Sequence, residues 1–124
     1  MSSQLTLAQR TAVSRIASLT LVNAMVFQEV ASAYVKGVEP LRKTLQSSDI
    51  ISAFIGHWQY ITDEINYVPI FKIARDIMLT LPASPDIEKA LRFLAERALG
   101  IVRHRAALRH DLMGRIYHRL LVEA

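Results

Sequence analysis

The sequence predicts an all-α protein, a single domain over residues 1–124 folded as an irregular bundle of five or six helices with short connections. Three observations carry this. Apolar residues recur at helical spacing through most of the chain, and no stretch alternates apolar and polar residues as a strand would. Start signals separate the periodic stretches at Pro40, Ser47-Ser48-Asp49, Pro69 and Ser84-Pro85. Composition agrees: 124 residues suffice for one core, and 52% apolar with only 7% aromatic points to an interior of Leu, Ile, Val and Ala.

The first helix is expected from about Thr6 to Val35. Val13, Thr20, Phe27 and Tyr34 fall seven apart; Ile16, Asn23 and Val30 take the second core position; Ala17, Ala24 and Ala31 line the adjacent one. That is the pattern of a helix buried on at least one side. Leu19, Val22, Val26 and Ala33 widen the stripe. Thr20 can bond back to the carbonyl four residues earlier. Asn23, if buried, needs a partner, either a nearby backbone group or a register-fixing contact in a bundle or oligomer.

Gly37 is the expected stop, and Pro40 suits the first turn of a short helix through about Gln46. Ser47-Ser48-Asp49 supplies an N-cap and a first-turn acid for the next helix. That helix turns Ile51, Phe54, Trp58, Ile61 and Ile65 to one side, with Trp58 in the core and His57 toward the edge. Asn66-Tyr67-Val68-Pro69 interrupts the pattern, because Val68 is pushed from helical geometry by the proline after it. Pro69 then opens a helix with Ile70, Ile73, Ala74, Ile77 and Leu81 inward. After the loop Leu81-Pro82-Ala83-Ser84-Pro85, Ser84 as N-cap, Pro85 at the first position and Asp86 and Glu88 in the first turn start another. Its inner face is Ile87, Leu91, Leu94, Ala98 and Ile101. Gly100 weakens its middle by about 1 kcal/mol relative to alanine. This helix is expected to reach about Leu108, where Arg109-His110-Asp111 breaks or kinks it and Asp111 caps a last helix.

Several function classes are excluded. The chain has no cysteine, hence no disulfide, thiolate metal site or cysteine nucleophile, which fits a reducing cytoplasm. The start, with Arg10 as its first positive residue, is not a charged signal-peptide region. Leu19 to Val35 is broken by Thr20, Asn23, Gln28 and Glu29 and falls short of a membrane span. A cytoplasmic protein without a membrane partner is expected. The four glycines, at 37, 56, 100 and 114, form no phosphate loop. Asp63 and Glu64 are adjacent and point apart on a helix. His110 and His118 are about 12 Å apart along a helix, too far for one tetrahedral ion, and His104 would need a chain reversal to join them. No metal, no cofactor and no catalytic residue is expected in this chain.

Charge is distributed unevenly. Residues 1–91 hold eight basic and eight acidic side chains, whereas residues 92–124 hold seven arginines against Glu96, Asp111 and Glu123, and so carry the whole net charge of +4. Arg103, Arg105 and Arg109 precede the expected cap; Arg115 and Arg119, four apart, follow it on one face. Leu112, Met113, Ile116, Tyr117, Leu120 and Leu121 form the other. Arginines in this arrangement suit phosphate oxygens, which position a nucleic acid without reading its sequence. The alternative is a solvated face whose arginines pair with acids elsewhere.

His110-Asp111-Leu112-Met113-Gly114-Arg115-Ile116-Tyr117-His118-Arg119-Leu120-Leu121 resembles a segment of N6-adenine DNA methyltransferases of restriction–modification and related phage-defence systems. There a helix of the form His-Asp-Leu-(Leu/Met)-Gly-(basic)-Ile-Tyr-x-x-Leu-Leu closes an N-terminal helical region before the S-adenosylmethionine-binding domain. Ile65-Asn66-Tyr67-Val68-Pro69-Ile70-Phe71, with Ala74-Arg75, is similar to the helical part of such proteins. The Phe/Tyr-x-Gly-x-Gly cofactor turn and the Asn-Pro-Pro-Tyr type motif are absent, so no catalytic or cofactor residue is carried over. The resemblance implies the N-terminal helical part of a larger enzyme, truncated before its catalytic domain. S-adenosylmethionine would belong to that parent protein, which flips its target base. It makes Leu112, Ile116, Tyr117 and Leu120 candidates for docking on the catalytic domain, and Arg103, Arg105, Arg109, Arg115 and Arg119 candidates for DNA contact. A different class of function remains beside it: a free-standing helical interaction module whose alanine-rich first helix drives homo-oligomerisation.

Overall fold

The structure is a computed structural model that describes residues 6–65 and 69–122, with side chains as far as Ala106. Among these residues the chain is all-α and contains no strand: α1 (Leu7–Ser32), α2 (Leu41–Thr44), α3 (Ile50–Tyr60), a π-helical turn (Ile61–Ile65), α4 (Pro69–Leu79) and α5 (Pro85–Val122). α1 packs against α4 and α5, and α3 packs against α4.

Local chemistry sets most of the boundaries. Thr6 opens α1 with a capping box: its hydroxyl accepts from the Gln9 amide, and its own amide donates to Gln9 Oε1. Asp49 is itself the N-cap of α3 rather than a first-turn acid. The amide and hydroxyl of Ser52 both donate to its carboxylate and hold its pKa below the ordinary carboxylate value. Ser84 Oγ accepts from the Ile87 amide at the start of α5, with Pro85 at the first helical position. Pro40 caps α2 without a side-chain bond. Glu29 of α1 reaches over instead, and its carboxylate accepts from the Leu41 amide at 2.9 Å.

The core is formed by Leu21, Met25, Leu41, Ile50, Phe54, Trp58, Ile61, Phe71, Met78, Leu91 and Leu99, with Ala24, Ala74, Ala95 and Ala98 where helices approach closely. Phe54 and Trp58 lie ring to ring at 5.0 Å. The predicted face of α3 is the buried one.

Four expectations need correction. The heptad stripe of α1 is not its inward face: Val13, Ile16, Phe27, Val30 and Tyr34 are exposed, and Leu21, Ala24, Met25 and Gln28 are buried. α1 is apolar on two sides, so periodicity permits either, and the winning side is the one that offers Gln28 as acceptor to the Trp58 indole. Asn23 is accordingly exposed, and Ala24 lies inside the chain's own core. The alanine row is therefore not free for a second copy. In α4 Ala74 is buried and Ile70, Ile77 and, just past its end, Leu81 pack half-buried against the core as expected, but Ile73 is exposed and Phe71 and Met78 take the innermost places. The larger Phe71 claims the interior, which rotates the helix. His57 is no edge residue; it lies between α2 and α3 with its ring largely covered.

The fourth correction has the largest consequence. Arg109-His110-Asp111 does not break the helix: α5 is one helix of 38 residues, about 57 Å along its length. A cap must leave helical dihedrals, and no proline or turn sequence forces the backbone out here. An interior aspartate costs only about 0.5 kcal/mol relative to alanine. Asp111 thus sits mid-helix.

Candidate functional site

Two regions carry the chemistry. The first is a polar knot where α1, the Val38–Pro40 connection, α2 and α3 meet. Gln28 is fully buried, and every polar atom of its amide is used. Its Oε1 accepts from the Trp58 indole N–H at 2.9 Å, and its Nε2 donates to the Glu39 carbonyl and to Thr44 Oγ1, both at 2.9 Å. Thr44 Oγ1 in turn donates to the Glu39 carboxylate at 3.0 Å. No described buried side-chain nitrogen or oxygen is left without a partner, as a low-dielectric interior requires.

His57 closes the knot. Its Nε2 accepts from the Glu39 backbone amide at 3.0 Å, and its Nδ1 stands 3.4 Å from the Glu39 carboxylate. Acceptance at Nε2 requires the neutral ring with its proton on Nδ1. Burial pushes the His57 pKa below 6.5; the Glu39 carboxylate opposes this, and Lys43 adds to it. Beside it, Gly37 turns the chain at φ +99°, and a Cβ there would stand 2.9 Å from the Tyr60 hydroxyl. Glu39, Lys43, Ser47, His57 and Tyr60 line an open cleft of about 510 Å³. The Nε2 lone pair of His57 is already occupied, so the ring cannot take a proton from a substrate without breaking the knot. The histidine holds the connection to α3 in place. Sequence reasoning missed this region. The signal was Gln28, the polar member of the Leu21, Ala24, Met25 row, together with a single tryptophan whose N–H needs an acceptor.

The second region is the distal part of α5. Leu91, Ala95, Ala98 and Leu99 are buried; from Gly100 to Ala106 every residue is exposed except Val102, which is half-buried. Arg103 and Arg105 are exposed. The backbone of Arg109, Arg115 and Arg119, and of Leu112, Ile116, Tyr117 and Leu120, is helical, but their side chains lie outside the described residues.

The unbroken helix changes how these positions group. Leu91, Ala95, Ala98, Val102, Arg105, Arg109, Leu112 and Ile116 alternate steps of four and three, so they fall in one row along α5. That row begins in the core, passes through an arginine pair and resumes with apolar residues. Arg115 and Arg119 share a second line roughly 80° around the helix, and Arg103 falls on neither. The structure does not bring the five arginines to one face.

Among the described residues no group of three acidic or histidine side chains is placed to hold a metal ion, and no helix is long and apolar enough to cross a membrane. Comparison with protein-family models, with curated proteins and with solved structures returned no match to this chain.

Proposed function

We propose that this chain is the non-catalytic, N-terminal helical region of an S-adenosylmethionine-dependent adenine-N6 DNA methyltransferase of the restriction–modification type. The observation that carries the reading is the two-part row of α5, whose distal apolar part falls within the segment that resembles such enzymes. Its first part, Leu91 to Val102, is used by the domain's own core. Its second part, Leu112 and Ile116, with Tyr117 and Leu120 beside it, is separated from the first by Arg105 and Arg109. A helix with two apolar seams divided by charge suits two partners, one inside the domain and one outside. The outer partner in this reading is the catalytic domain, which would bring the S-adenosylmethionine. The continuous helix is a stiff rod, spanning about 34 Å from Leu99 to Val122, and holds the two at a fixed distance. Arg115 and Arg119 supply DNA backbone contacts beside the docking seam. The net charge of +4, all of it beyond Leu91, supports this.

Two measurements test the reading. Fluorescence anisotropy with labelled duplexes should show weak binding, alike for unrelated sequences, that falls steeply with salt. Arg115→Ala with Arg119→Ala should keep helicity and reduce the salt slope by roughly two, about 0.9 per lost phosphate contact. An unchanged slope removes those arginines from the interface. The genomic reading frame past the codon for Ala124 tests the parentage directly. A stop there, with no methyltransferase frame beside it, would sink the proposal.

A further inference from the structure

The side of α1 turned away from the core is apolar, long and uncharged. Ile16 is 64% exposed, Phe27 48% and Tyr34 81%, with Val13 and Val30 in the same state. A solvent-facing helix side is ordinarily studded with charge, yet α1 carries none between Ile16 and Gln28. Arg10, Arg15 and Glu29 lie off this row. With the half-buried Thr20 between Ile16 and Asn23, these positions follow the alternating three–four spacing of a coiled-coil seam, turned roughly 125° from the buried row of Leu21, Ala24, Met25 and Gln28. Monomers seldom expose a contiguous apolar patch of more than a few hundred Å².

The pattern also indicates what covers it. Asn23 stands in the middle of the row, with Ile16 and Val30 one heptad away on either side. Covered by an unrelated apolar surface, Asn23 would lose its water and gain no partner. A second copy in a parallel, in-register pairing about a two-fold axis along the seam places one Asn23 amide against the other. A polar pair at one core layer is a known device for fixing register. Five large apolar side chains, 43–81% exposed, offer apolar area toward the about 800 Å² per partner of a standard interface.

We propose that the chain forms a parallel two-fold homodimer in which α1 pairs with α1 of a second copy through Val13, Ile16, Asn23, Phe27 and Val30, with Tyr34 just past its end. The interface is isologous and holds whether or not α5 meets DNA.

The chain contains no cysteine, so a single introduced thiol reports its own neighbour. Under mild oxidation Asn23→Cys should convert the chain to a disulfide-linked dimer, because residues facing each other across a helix seam fall within the about 4.4–6.8 Å Cα separation a disulfide needs. Ser14→Cys, exposed on the opposite side of α1, should remain monomeric under the same conditions. Sedimentation of the unmodified chain should show a concentration-dependent monomer–dimer equilibrium. Ile16→Glu with Phe27→Glu should abolish it, leaving the circular dichroism of the monomer intact. A concentration-independent monomer, or Asn23→Cys cross-linking no faster than Ser14→Cys, overturns the proposal.

Discussion

The knot around Gln28 and the outward row of α1 sit on the same helix and could hardly differ more. On the inner side a single polar residue is surrounded by partners from the 38–40 connection, α2 and α3. On the outer side a row of larger apolar residues is left about half exposed or more. The contrast shows that burial in this protein follows hydrogen-bond satisfaction as much as hydrophobicity. Val13, Ile16, Phe27 and Val30 would give a greasier interior than Leu21, Ala24, Met25 and Gln28. They offer no acceptor for the Trp58 indole, and an unpaired N–H in the interior costs about 1–3 kcal/mol.

The comparison can be broken from its inner side first. Trp58→Ala removes the largest buried side chain, its packing on Phe54 and the donor to Gln28. It should cost about 3–5 kcal/mol in denaturant unfolding. Gln28→Leu keeps the volume but strands the Trp58 indole, and should cost about 1–3 kcal/mol. A neutral outcome would show that the knot is incidental to the choice of face. Gly37→Ala should cost about 1–2 kcal/mol, since a side chain at that φ is strained and its Cβ crowds Tyr60. Thermal melts of the two Gly37 forms measure it.

A pH series probes the same knot more gently. The folded-state pKa of His57 lies below 6.5, so the unfolded chain takes up a proton that the folded one resists. The contribution of His57 is therefore fully present above pH 6.5 and is lost progressively as pH falls from there to the lower folded-state value. Urea midpoints across this window should decline toward acid, and His57→Gln should flatten the decline. The smallest effect belongs to α5. Asp111→Ala should leave stability unchanged or raise it by about 0.5 kcal/mol, because aspartate in a helix interior is the poorer helix former. A loss of about 1 kcal/mol would restore Asp111 as a cap.

Much of the fold was legible because its signals are local. Thr6 with Gln9, Asp49 with Ser52, and Ser84 with Pro85 each act within one turn, so the starts of α1, α3 and α5 depend on their own residues. The inward face of α3 was legible because only one side of it carries a long apolar row. α1 and α4 were not, since each offers more than one acceptable side. The candidate site was legible only in part. The basic charge of the last third can be counted, but its division into two lines depends on whether α5 is interrupted. His57 and Glu39 gave no warning, being 18 residues apart and joined through a backbone amide.

By itself the sequence determined the helical class, the Ser84-Pro85 start of α5 and the loop before it, the single buried tryptophan and the placement of charge, because each depends on residues within a turn or two of one another. Only the tertiary structure decided which side of α1 is buried, that His57 is tied to Glu39, and that Arg109-His110-Asp111 stays helical. The first two depend on which distant group supplies a hydrogen bond. The third is a difference of a few tenths of a kcal/mol per residue, too small for local propensity to settle.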